Sequence, residues 1–198
     1  MKCKRDILLS AVLAGFAIGI GGTLYLSIDS KIVGALMFSV GLYTICAHGL
    51  HLFTGKIGYV FQEDREYRLD LIWVWIGNFL GTGLAALLLY LTRVEHIRDK
   101  AVELCRVKTE DSLLSLFLLA VFCGFLMYTA VEGYKKTQNP ILIYACVSAF
   151  ILCGFEHCIA DMFYFSMAGM WNMDTFLRIL LITLGNAMGG VLIPLCKK

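Results

Sequence analysis

Six long apolar blocks divide this chain, and they leave it few ways to fold. They run about Ile7–Ile28, Ile32–Phe61, Leu71–Leu91, Leu113–Val131, Ile141–Met170 and Phe176–Leu195. Each can cross a hydrocarbon core of about 30 Å, which takes roughly 20 helical residues. Hydrophobic residues make up 59% of the sequence and charged residues 16%, against about 45–50% and about 25% in soluble domains. Lipid must therefore be the solvent for the outer surface. An open sheet would leave backbone groups unpaired there, so the blocks are expected to be helices. The first block exceeds the roughly 7–15 apolar residues of a signal peptide, so it reads as a retained span.

Charge placement gives an orientation. Six spans put both termini on one side, with Lys2, Lys4, Arg5, Arg65, Arg68, Lys135, Lys136, Lys197 and Lys198. The other side holds Lys31, Arg93, Arg98, Lys100, Arg106 and Lys108. The balance favours cytoplasmic termini in a multi-pass protein of the cell (inner) membrane. No basic run with interleaved aromatics occurs, so nucleic acid is not an expected partner. Of the eight cysteines, Cys46, Cys123, Cys146, Cys153, Cys158 and Cys196 lie in apolar blocks and Cys3 and Cys105 in polar ones. They read as structural thiols rather than redox or metal ligands.

The chain also repeats itself. Ile76-Gly77-Asn78-Phe79-Leu80-Gly81 in the third block matches Leu184-Gly185-Asn186-Ala187-Met188-Gly189 in the sixth. His48-Gly49-Leu50-His51 in the second matches Cys153-Gly154-Phe155-Glu156 in the fifth. The expected architecture is an all-α membrane protein, one transmembrane domain over residues 1–198. Its six helices form two three-helix repeats, about 1–95 and about 110–198. Three spans per half make the repeats inverted, an arrangement of transport folds with binding near the midplane. Asn78 and Asn186 suit either helix packing or pore lining.

Blocks two and five are too long and too polar for plain helices. His48, His51, Thr54 and Lys56 interrupt one; Glu156, His157 and Asp161 interrupt the other. Asp or Lys at membrane depth costs at least about 2.5–3.5 kcal/mol each on insertion scales. Irregular backbone is tolerated there only inside protein or beside a water-filled cavity. Both stretches are therefore read as broken helices meeting near the midplane, with helix N-termini that favour an anion. A histidine there could donate a hydrogen bond or a proton. Leu50, Leu52, Phe53 and Phe155 would form an apolar constriction, and Glu156 would anchor a helix end or tune His157. Thr54 could cap the second half of its helix or line the pore. His48, His51, His157 and Cys158 show no recognisable zinc spacing, so neither metal nor cofactor is expected. The tryptophans Trp73, Trp75 and Trp171 read as interface anchors.

These residues resemble a known family. Gly154-Phe-Glu-His-Cys-Ile-Ala-Asp-Met162 is similar to the fifth-helix signature of the formate/nitrite transporter family, Leu52-Phe-Thr-Gly55 to its second-helix loop, and Thr183-Leu-Gly-Asn-Ala-Met-Gly-Gly190 to its sixth helix. The resemblance covers all six spans. It implies an aquaporin-like fold in a homopentamer with one pore per subunit. The cargo would be a small inorganic or carboxylate anion such as formate, nitrite, hydrosulfide or lactate, or the conjugate acid, with proton exchange. It makes His157 the central histidine, Thr54 its partner, and Lys108 an anion-attracting lysine of the outer vestibule. His51 stands where Glu or Asp is usual, Asp161 where Asn is, and Gly124 where Asn is common. An aquaporin-like pore for neutral solutes is the alternative, though Pro140 and Pro194 are the two prolines and neither lies in an Asn-Pro-Ala motif. No nucleophile–base pair or cofactor fingerprint suggests an enzyme.

Overall fold

The computed structural model describes residues 4–197; Lys2, Cys3 and Lys198, all weighed above, lie outside the described residues. Among the described residues there is no strand, and every apolar block is helical. Helices α1 (Lys4–Ser27), α4 (Arg65–Tyr90), α6 (Leu113–Thr137) and α9 (Met173–Cys196) are each long and apolar enough to cross a membrane. The second block is α2 (Lys31–Ala47), a break, and the short α3 (Phe53–Lys56), which tightens into a 3-10 turn at Ile57–Tyr59. The fifth is α7 (Ile141–Cys153) and α8 (Cys158–Ala168), bent by 55°. Ser30, Asp64, Ser112 and Asn172 start their helices by accepting a backbone N–H, which satisfies one of the donors a helix start leaves unpaired.

The two halves pack alike. Helix α1 lies against α4 so closely that a Cβ on Gly15 would strike the backbone carbonyl of Asn78. Helix α6 lies against α9 in the same way, with Gly124 on the carbonyl of Asn186. Small residues drive such approaches because lipid gives no hydrophobic force between helices. Leu9, Leu13, Leu84, Leu87, Phe122 and Leu184 stay exposed on the outer faces, as side chains that meet lipid or a neighbouring subunit do.

The polar stretch from Thr92 to Asp111, read as a connector, is mostly helix. A 3-10 turn at Arg93–Ile97 leads into α5 (Arg98–Glu110). Ile97, Ala101 and Cys105 are fully buried at four-residue steps, which puts one face against the bundle. Cys105, assigned above to polar surroundings, is therefore interior. Arg178 of α9 donates from Nη1 to the carbonyls of Lys108 (3.2 Å) and Asp111 (2.9 Å), which fixes the end of α5. The seven cysteines among the described residues are all free.

Candidate pore site

Both breaks are built the same way. After α2 the chain turns at Gly49 (φ 63°) and Leu50 N–H donates back to Ile45 O at 2.9 Å. After α7 it turns at Gly154 (φ 69°) and Phe155 N–H donates back to Phe150 O at 2.9 Å. A left-handed residue with this back-bond ends a helix cleanly, and glycine carries no Cβ penalty there. The repeat seen in the letters is thus a repeat of helix endings.

One buried asparagine braces the chain beyond each turn. Asn78 Oδ1 accepts from Phe53 N–H at 2.9 Å, and its Nδ2 donates to the carbonyls of Ala11 (2.8 Å) and His51 (2.9 Å). Asn186 Oδ1 accepts from Cys158 N–H at 2.9 Å, and its Nδ2 donates to Ala120 O (2.8 Å) and Glu156 O (2.7 Å). The first amide of each second half-helix, α3 and α8, is therefore already taken. Each Asn amide is spent on bracing a break, the packing role of the two weighed above. Orphaned backbone groups at such depth would cost several kcal/mol each.

The breaks meet at two side chains. Thr54 Oγ1 lies 2.9 Å from His157 Nε2, and both residues are 1% exposed. His157 also begins α8: its Nδ1 accepts from Ala160 N–H at 3.0 Å. An accepting Nδ1 carries no proton, so this arrangement is the neutral imidazole with its hydrogen on Nε2, donating to Thr54. Phe150 stacks on the imidazole with ring centroids 5.6 Å apart, which fixes its plane. Thr54 does not cap α3; Leu52 takes that position without a side-chain bond.

A cavity lies on either side of this contact. On the side of the termini, one of about 120 Å³ is lined by Leu50, Leu52, Gly55, Lys56 and Lys135, among others. On the side of α5, another of about 120 Å³ is lined by Phe155, His157, Asp161, Lys108, Lys31 and Tyr25, among others. Leu52 and Gly55 flank Thr54 and line the first; His157 lines the second. Phe155 stacks on Phe122 at 5.3 Å. Phe53 is buried in the core.

Lys108 reaches inward from α5 and ties two carboxylates. Its Nζ is 2.5 Å from Glu156 Oε2 and 2.9 Å from Asp161 Oδ1. All three side chains are at most 11% exposed. Burial works against the charge of Lys108, but Asp161 and Glu156 outweigh it and raise its pKa. The ammonium reads as an anchor for this carboxyl pair as much as an attractor of a passing anion.

His51, grouped above with the pore residues, lies on a separate cavity. Its backbone N–H donates to Ser10 Oγ (3.1 Å). Its side chain lines a cavity of about 290 Å³ together with Glu63, Asp64, Glu66 and Asp70. Trp75 and Trp171 are half-buried and donate to Thr183 Oγ1 (3.1 Å) and Ser166 Oγ (3.0 Å), so both pack against the bundle. Sequence reasoning missed Phe150 and Arg178. An arginine inside the sixth apolar block was the available signal for the second.

Known proteins are similar to this chain over nearly its whole length. The sequence pattern of the family described as Formate/nitrite transporter fits residues 2–196. The formate channel FocB of Escherichia coli (strain K12) is 24% identical, aligned over 100% of this chain and 87% of its own. The nitrite transporter NirC of the same organism is 25% identical over 92% of this chain and 78% of its own. A solved structure described as a pentameric formate channel with formate bound superposes with a TM-score of 0.84 at 24% identity, over 99% of this chain and 96% of that one.

Proposed function

The chain belongs to the formate/nitrite transporter family, a family of multi-pass membrane channels and transporters, and on that premise we propose that it passes a small monovalent weak-acid anion with proton exchange at His157. The observation that carries this reading is the Thr54–His157 contact at 2.9 Å between two cavities. A permeant in the α5-side cavity meets the imidazole, and one in the other cavity meets the residues on either side of Thr54, its partner. Around it Leu52 and Phe155 leave an apolar neck in which a bare anion is costly. The imidazole takes up a proton from water in one cavity; its N–H bond breaks as an O–H bond to the anion forms, and the uncharged acid crosses and releases the proton in the opposite cavity. Thr54 accepts from Nε2–H in the resting site, and a permeant displaces it by accepting a hydrogen bond from the same N–H.

The same reading makes the chain a homopentamer of the cell (inner) membrane with inverted repeats and cytoplasmic termini. Support comes from the pentameric formate channel it superposes on, the exposed apolar faces of α1, α4 and α9, and the lysine and arginine balance of the connectors. Formate, nitrite and hydrosulfide are the cargo candidates. The relatives named as formate channel and nitrite transporter favour the first two.

The test is uptake by liposomes holding the purified protein, with formate, nitrite and hydrosulfide offered separately at about pH 5 to 8, the range in which imidazole titrates. The proposal expects saturable uptake of at least one anion, rising as pH falls, and no glycerol-driven swelling. Swelling with glycerol and no anion uptake would favour the neutral-solute pore instead.

A further inference from the structure

We propose that Glu156 and Asp161 hold one proton between them and lend it to the anion in the cavity on the α5 side. This rests on the pore reading above and adds a second proton donor beside His157.

Charge balance is the first reason. Two carboxylates, 4% and 1% exposed, share one ammonium. Were both ionised, the cluster would carry an uncompensated negative charge away from water, an arrangement buried sites avoid by neutralising a group. Geometry points the same way. Asp161 Oδ1 accepts from Lys108, but Oδ2 is buried and among the described residues no donor reaches it. Its neighbour is the Glu156 carboxyl, an acceptor when ionised. A proton on Oδ2 turns an orphaned acceptor into a donor toward that neighbour. The trio is then neutral and fully bonded.

Among the described residues no other group supplies that balance. Cys105 of α5, Tyr25 of α1, Cys123 of α6 and Tyr164 of α8 face the cluster, and each is uncharged in its ordinary form. His157 is committed to Thr54 and Ala160. Lys31, at the cavity mouth, is exposed and donates to Leu152 O.

Asp161 and His157 line the same cavity, so the proton is held where the permeant arrives. In the transfer, the carboxyl O–H bond breaks and a bond from that proton to the anion forms, giving the neutral acid. The pair, now doubly negative beside Lys108, regains a proton from water entering past Lys31. One anion and one proton move per cycle, and no electrons change hands.

The experiment compares the full-length parent with Asp161→Asn in liposomes, with formate as probe. Asn keeps an oxygen for Lys108 but cannot hold the shared proton. At about pH 7.5 uptake falls at least about tenfold, less than the roughly hundredfold a sole donor contributes, because His157 remains. At about pH 5, where bulk water supplies protons, the change is under about twofold. Infrared spectra of the parent show the carbonyl band of a buried protonated carboxyl, absent from Asp161→Asn and from Glu156→Gln. If the Asn variant does not assemble, the parent band and its loss in Glu156→Gln decide the matter, and a parent without the band overturns the proposal. A parent that moves formate and is matched by Asp161→Asn at every pH overturns the proposal alone. A parent that moves none of the three anions overturns the pore reading, and the transfer step with it.

Discussion

Thr54 and His157 stand 2.9 Å apart although 103 residues separate them in sequence. Each sits just past a glycine-closed helix break, and each break is clamped by an asparagine from the other long helix of its own half. The contact is thus the sum of two copies of one local design.

That design gives a direct expectation for Thr54. Thr54→Val keeps the shape and removes the oxygen that accepts from Nε2, whereas Thr54→Ser keeps it. The value of one buried hydrogen bond, about 1–3 kcal/mol, corresponds to roughly a five- to hundredfold loss of anion uptake for Val. Ser keeps that oxygen and loses one buried methyl, and its uptake is expected within about threefold of the parent. Rates in liposomes at fixed pH decide between them.

The asparagine clamps are structural. Asn78→Ala strands Phe53 N–H, and Asn186→Ala strands Cys158 N–H; each is expected to cost about 1–3 kcal/mol or more. The two lie in different halves and share no partner, so their effects should add. Thermal unfolding in detergent measures both.

Close helix packing predicts a contrast between glycines. Gly124→Ala drives a methyl into the carbonyl of Asn186, and rigid backbone must move. Overpacking of this kind costs about 1–3 kcal/mol. Gly83, inside α4, has nothing within 4 Å of a Cβ position, so Gly83→Ala should not lower the unfolding midpoint and should raise it slightly.

Two lysines of α5 make a second contrast. Lys100 pairs with exposed Asp29, and Lys100→Met should be silent in a melt, since surface pairs contribute little. Lys108→Met leaves the buried carboxyl pair without its cation and should cost about 3–5 kcal/mol. The folded pKa of Lys108 is raised above its ordinary 10.5. Its stabilisation is therefore complete below pH 10.5 and fades only as pH climbs through the higher folded value. Melts between about pH 6 and 9 should show no slope from this group.

Much of this was legible in the letters because lipid enforces simple rules. Apolar length marked the spans, and the matched Gly-Asn pairs marked the halves. Costly polar residues marked the breaks. The hidden parts depend on direction. Helix α5 was concealed because its buried stripe, Ile97, Ala101 and Cys105, is short and interleaved with charge. His51 lines a cavity among carboxylates while Thr54, three residues on, meets His157. Asn78 and Asn186 could have packed or lined a pore; only their bonding shows what their amides hold.

The most direct test of the central claim is the pH profile of formate, nitrite and hydrosulfide uptake by His157→Ala beside the parent, at matched assembly in liposomes. A parent whose uptake rises as pH falls, and a variant that loses this dependence while remaining assembled, is the predicted result. A variant that moves all three anions as the parent does at every pH would contradict it.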